Sequence, residues 1–65
     1  MKFNTVKLNM MQAELGLTRK AIAERAGISR QNLSTIAQRG TCKPATLGKI
    51  AKALDIDPAE LAKED

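Results

Sequence analysis

A compact all-α fold of five helices is the architecture this sequence predicts. Phe3 is its one aromatic residue, so a core has to be packed from Leu, Ile, Ala and Met, a set that favours helices over sheets. Apolar residues recur at spacings of three and four, the repeat of one helical face, and glycine or proline interrupts them at short intervals. With 65 residues there is material for a single domain, one that buries about 60% of its unfolded surface. Hydrophobic residues at 43% and charged residues at 28% are ordinary globular values, which excludes a disordered chain.

The first helix is predicted over Val6 to Leu15, with Leu8, Met11 and Leu15 inward, Thr5 as its cap and Gly16 as its stop. Met10 and Met11 both read as adaptable core filling. Residues 1 to 4 carry too little pattern for more than a short extended or frayed lead. Thr18 then caps Arg19 to Ala26, whose inner face is Ile22, Ala23 and Ala26, and Gly27 ends it. Ser29 caps Arg30 to Gln38, with Leu33 and Ile36 inward and Arg30, Gln31, Ser34 and Thr35 outward. After a loop from Gly40 to Lys43, Pro44 occupies the first position of a fourth helix carried by Leu47, Ile50, Ala51 and Leu54. Asp57, Pro58 and Glu60 spell a capping box for a short last helix, with Ile56 and Leu61 placed as its hydrophobic staple. Links this short force neighbouring helices to pack on one another.

Charge is distributed unevenly. Residues 1 to 54 hold ten basic side chains against Glu14 and Glu24, a balance of +8, whereas 55 to 65 hold Lys63 against five carboxylates, a balance of −4. A body of that sign suits a polyanion or an anionic surface. No apolar run approaches 18 residues and no signal-peptide stretch opens the chain, so a cytoplasmic location is predicted. Cys42 has no partner for a disulfide and reads as an inert loop thiol. Without histidine there is neither a His-bearing metal site nor the commonest general base, and no Gly-rich phosphate loop occurs. Neither an enzyme nor a cofactor or metal site is predicted. Arg25 and Lys52 read as solvated charge.

The stretch from Arg19 to Gln38 carries the functional signal. Two helices crossing steeply need a tight turn with a residue that accepts positive φ, and Gly27 supplies it. They also need a small residue at the crossing, which is Ala23, four positions earlier. At these residues the chain resembles the helix-turn-helix of the Cro and phage-repressor family, the Xre family of bacterial transcription regulators. "Leu-Thr-Arg-Lys-Ala-Ile-Ala-Glu-Arg-Ala-Gly-Ile-Ser" is similar to that family's second helix and turn. "Thr46-Leu-Gly-Lys-Ile-Ala-Lys-Ala-Leu54" and "Asp57-Pro-Ala-Glu-Leu61" are similar to its fourth and closing helices, so the resemblance runs from about residue 6 to 62.

The resemblance implies a lambda-repressor-like domain that binds double-stranded DNA with the helix from Ser29 in the major groove. Arg30, Gln31, Ser34 and Thr35 become base readers. Their chemistry agrees, since Arg pairs with guanine O6 and N7, Gln with adenine N6 and N7, and the Thr methyl meets a thymine methyl. Asn32 lies nearer the flank. The same resemblance assigns phosphate contacts to Thr18, Arg19, Lys20, Ser29, Arg39, Thr41 and Lys43. The chain departs from the family where many relatives have Asn-Gly, because it has Gln38-Arg39-Gly40 and its glycine comes one residue later.

The segment after Leu54 has two readings, a solubilising acidic end or a weak homodimer seam of Ile56, Pro58, Ala59 and Leu61. In the second, Glu60, Glu64 and Asp65 keep this segment off DNA, because their charge repels phosphates, so the segment is expected to sit away from the phosphate-binding surface made by residues 18 to 43. Two further functional classes stand beside the repressor reading: a protein-interaction module of a toxin-antitoxin or phage system, and a nucleic-acid binder without sequence preference.

Overall fold

The structure, a computed structural model, describes residues 1 to 63, so Glu64 and Asp65 of the acidic end lie outside the described residues. Five helices follow one another: α1 (Thr5–Leu15), α2 (Arg19–Ala26), α3 (Arg30–Arg39), α4 (Pro44–Leu54) and α5 (Pro58–Leu61). All contribute to one apolar cluster. Leu8, Ile22, Leu33, Ile50 and Leu61 are fully buried in it, and α2 packs against both α3 and α4. Among the described residues no charged or polar side chain is buried, so the core contributes through apolar burial alone.

Helix starts follow the side chains available to accept from the first exposed N–H groups. Thr18 and Ser29 cap α2 and α3, and Pro44 opens α4. The capping box of α5 is complete: Asp57 Oδ1 accepts from Ala59 N at 2.9 Å and Glu60 Oε2 from Asp57 N at 3.2 Å. Ile56 is half-buried against the core cluster to which the buried Leu61 belongs. Glu60 also pairs with Lys7 at 3.4 Å, joining α5 to α1 at the surface, where such a bridge contributes at most about 1 kcal/mol.

Four expectations are corrected. The cap of α1 is Asn4, whose side chain accepts from Lys7 N at 3.0 Å. Thr5 is instead the first helical residue, and its hydroxyl donates to the Ala37 carbonyl at 2.8 Å, so a tertiary bond to α3 decided between two adjacent capping residues. Met10 is 60% exposed, because consecutive residues on a helix diverge by about 100° and Met11 takes the inward place. Leu15 is 45% exposed; past it Gly16 turns left-handed at φ 66° and brings Leu17 back onto the core. Finally, α3 runs one residue further, to Arg39, with Gly40 as its left-handed cap.

Residues 1 to 3 form an extended lead, and it is pinned rather than frayed. Phe3 N donates to Gly40 O at 2.8 Å and Cys42 N to Met1 O at 3.0 Å on one side, while Asn4 N donates to Leu61 O at 2.7 Å and Lys63 N to Lys2 O at 3.0 Å on the other. Isolated bridges Lys2–Thr41 and Phe3–Ala62 result. The cause is Phe3, which is 2% exposed: burying the one aromatic draws the lead between the α3–α4 loop and the chain's end. Lys63 therefore lies beside that loop, lining one recess with Arg39 and Thr41.

Two left-handed residues give opposite stability predictions. Gly27 has φ 73°, and a Cβ built there meets nothing within 4 Å, so Gly27→Ala should cost the backbone term alone, about 1–2 kcal/mol. Asp55 caps α4 at φ 57° and places a carboxylate at a negative helix end, so Asp55→Gly should stabilise by about 0.5–1 kcal/mol. Thermal unfolding followed by circular dichroism checks both, each kcal/mol moving Tm by about 4–8 °C.

Candidate nucleic-acid interface

The polar face of α3 is exposed because its other face is committed. Leu33, Ile36 and Ala37 are buried against the core, which fixes the rotation of the helix and leaves Arg30, Gln31 and Thr35 in solvent and Ser34 half-buried. Where α3 begins is set by the turn before it. Gly27 donates to the Ala23 and Glu24 carbonyls and Ile28 N to Ala23 O at 3.0 Å, which closes α2, while Ile28 packs on the core and Ser29 opens α3. Ala23, 1% exposed, leaves α3 room to approach.

Arg30, Gln31 and Ser34 line an open groove of about 720 Å³ together with Thr18, Arg19 and Lys20 at the start of α2 and Gln12 of α1. Among the described residues the side chains of Arg30 and Gln31 make no hydrogen bond or ion pair, so their donors face water. Thr35 differs: its hydroxyl donates to the Gln31 carbonyl at 2.9 Å, which occupies that proton and leaves the methyl unengaged. Thr18 Oγ1 accepts from Ala21 N at 3.1 Å and Ser29 Oγ from Asn32 N at 3.0 Å, so each hydroxyl caps a helix and keeps its own proton to donate. Glu24 shares a neighbouring recess with Lys20, Ser29 and Arg30.

At the other end of α3, Arg39 and Lys43 line a second recess of about 220 Å³ with Asn32, Thr46 and the edge of Cys42. Thr41 is exposed beside them, on the loop bridged to Lys2. Burial raises the Cys42 thiol above its ordinary value, partly opposed by the nearby Met1 ammonium, so the nucleophilic thiolate is disfavoured. The candidate residues thus form two clusters, one in the groove at the start of α2 and α3 and one at the α3–α4 loop, joined by the exposed face of α3.

Two residues of α1, one lining the groove and one bonded to a residue that does, escaped the sequence reading. Asn9 Oδ1 accepts from Arg19 Nη2 at 3.1 Å, holding that guanidinium against α1, and Gln12 lines the groove one turn on. Their spacing of three on the polar flank of α1 was the available signal, but nothing in the sequence says that α2 begins beneath them.

A family model of the Cro/C1-type HTH DNA-binding domain matches residues 7–63, nearly the whole chain. The chain belongs to that family. Comparison with curated proteins and with solved structures found no match. In this Cro/C1-type domain the matched span contains both clusters and stops short of the pinned lead, which is therefore described by the structure alone. Among the described residues no helix is long and apolar enough to cross a membrane.

If Asn9 holds Arg19 in position, Asn9→Ala should weaken duplex binding by roughly 1 kcal/mol, about fivefold, for all sequences alike, with Tm nearly unchanged. In an Arg19→Ala background the same change should have no effect on anisotropy-measured affinity. Independent losses would show that the 3.1 Å bond is incidental to binding.

Proposed function

We propose that this domain is a sequence-specific DNA-binding repressor that acts by occupying an operator, with no chemical step and no cofactor. The observation that carries the reading is the state of Arg30 and Gln31: both stand exposed and unengaged in the first turn of a helix whose rotation the core has fixed. Arg30 reads guanine, Gln31 adenine and the Thr35 methyl a thymine methyl, each good bidentate pair discriminating by about 1–3 kcal/mol, with Ser34 reaching a base or phosphate beside them. Thr18, Arg19, Lys20 and Ser29 hold phosphates at one end of α3, and Arg39, Thr41 and Lys43 at the other. Small regulators of phage, mobile-element or toxin-antitoxin type work in this way in the cytoplasm.

Two copies on an inverted repeat would place their recognition helices about 34 Å apart. Leu61 is fully buried in its own core, which leaves Pro58 and Ala59 as the exposed apolar part of a C-terminal seam. A contact that small favours association on DNA over a stable dimer in solution.

Sites selected from a random duplex pool should converge on an inverted repeat; a pool without enrichment would instead identify a binder that lacks sequence preference. On the selected site Arg30→Ala should flatten preference at one base pair, whereas Lys43→Ala should weaken every duplex and lower the salt slope by about one. Equal, sequence-blind losses from both variants would remove Arg30 from the base-reading set. Binding untouched by either would favour a protein partner over DNA.

A further inference from the structure

One face of α1 has no partner in the fold. Val6 and Met10, 65% and 60% exposed, are the two most exposed large hydrophobic side chains among the described residues, and they lie one turn apart. Ala13 is exposed on the turn after them, and at about 100° per residue the three form a stripe opposite the buried Leu8 and Met11. Apolar side chains grouped in this way mark a contact surface more than singly scattered ones do. The two edges of the stripe differ. Along one run Lys7 and Glu14, about 10 Å apart on the helix axis; Lys7 meets Glu60 at 3.4 Å at the surface, and Glu14 makes no ion pair among the described residues. Along the other run Asn9 and Gln12: Gln12 lines the groove of Arg30 and Gln31, and Asn9 bonds to Arg19, which lines it too.

We propose that this stripe receives a second copy of the chain, the two α1 helices lying antiparallel about a two-fold axis that passes between their Met10 side chains. Charge selects that arrangement. Antiparallel helices centred on Met10 bring Lys7 of each copy to Glu14 of the other along one edge and set Val6 over Ala13, so the surface is complementary to itself. A parallel pair would set Lys7 of each copy against the Asn9 edge of the other and leave both Glu14 carboxylates without a cation. The position of the groove agrees, and here the proposal rests on the DNA-binding reading above. The two-fold axis of an antiparallel pair runs from the charged edge to the groove edge, so both grooves turn to the same side, where one duplex reaches both; a parallel pair would turn them apart. The last helix offers less, because Leu61 is buried, Pro58 and Ala59 are its exposed apolar residues and Glu60 is engaged with Lys7. Three modest apolar side chains a copy fall short of the roughly 800 Å² per partner of a stable interface, so the pair is weak in solution and strengthens when one duplex holds both copies.

Backbone amide spectra recorded from micromolar to millimolar protein, without DNA, test the contact separately from base reading. Concentration-dependent shifts should centre on Val6, Met10 and Ala13. Met10→Gln should abolish them with Tm unchanged, because that side chain stands in solvent, whereas Ala59→Gln should leave them as they are. Lys7→Glu and Glu14→Lys each replace two unlike-charge contacts by two like-charge ones, and each should weaken association by about tenfold. Mixed in equal amounts, the two variants should recover it, since in the mixed pair both contacts between positions 7 and 14 again join opposite charges. Recovery on mixing has no explanation within a single copy, where the lost Lys7–Glu60 pair stays lost. Spectra independent of concentration, shifts centred on Ala59 instead, or mixing without recovery would each overturn the α1 contact while leaving base reading by Arg30 intact. Pairing through α1 in a protein that selects no site would instead remove the repressor reading and keep the contact.

Discussion

Everything on the exposed polar side of α3 depends on how the chain leaves α2. Gly27 adopts a left-handed conformation that lets its own N–H and that of Ile28 bond back to α2 carbonyls, and within two residues Ser29 has begun α3. Room for a methyl exists at Gly27, so the constraint is one of backbone dihedrals and not of space. Ala23 then decides how near the two helices come. Were the turn longer or the crossing residue larger, Leu33 and Ile36 would leave the core, and with them would go the fixed rotation that keeps Arg30 and Gln31 in solvent.

The same economy governs the polar groups. Thr18 and Ser29 each accept from a backbone N–H that would otherwise be unpaired, and so define where α2 and α3 start, yet a hydroxyl that accepts still has a proton to give. Thr5 and Thr35 instead donate to backbone carbonyls, one across to α3 and one within it. Four hydroxyl side chains therefore do different work according to which partner lies within reach. The side chains of Arg30 and Gln31 have no such partner among the described residues, which is what makes them available to a ligand.

Most of the fold could be read from the sequence because local signals and tertiary packing agree along it. Thr18, Gly27, Ser29, Pro44 and the Asp57–Glu60 box each satisfy a backbone requirement within four residues, and those boundaries follow from chemistry that neighbouring residues supply. The readings that failed needed contacts distant in sequence. Asn4 and Thr5 are equally good caps until the Ala37 carbonyl, 32 positions away, engages Thr5. The lead looked featureless because its partners are Gly40 to Cys42 and Leu61 to Lys63, and no periodicity within four residues reports pairing at that range. For the site, the polar face of α3 was legible from spacing alone, whereas Asn9 and Gln12 were not, since only packing brings α1 over the start of α2.

Length connects the two clusters to a groove. At a rise of about 1.5 Å per residue, the ten residues of α3 span about 15 Å, slightly more than the roughly 12 Å width of the B-DNA major groove. A helix of that length lying across the groove brings both of its ends to sugar-phosphate walls, and both ends here carry cations: Arg19 and Lys20 beside its start, Arg39 and Lys43 at its finish. In the proposed complex, clamps at a single end would leave the helix free to pivot, and a pivot would carry Arg30 off the base edge proposed for it. Basic residues at both ends would resist that rotation without contacting a base, so in the proposed complex contacts blind to sequence become a condition for reading it. The burial of Phe3 enters the same argument, because it secures the loop that bears the second cluster of cations.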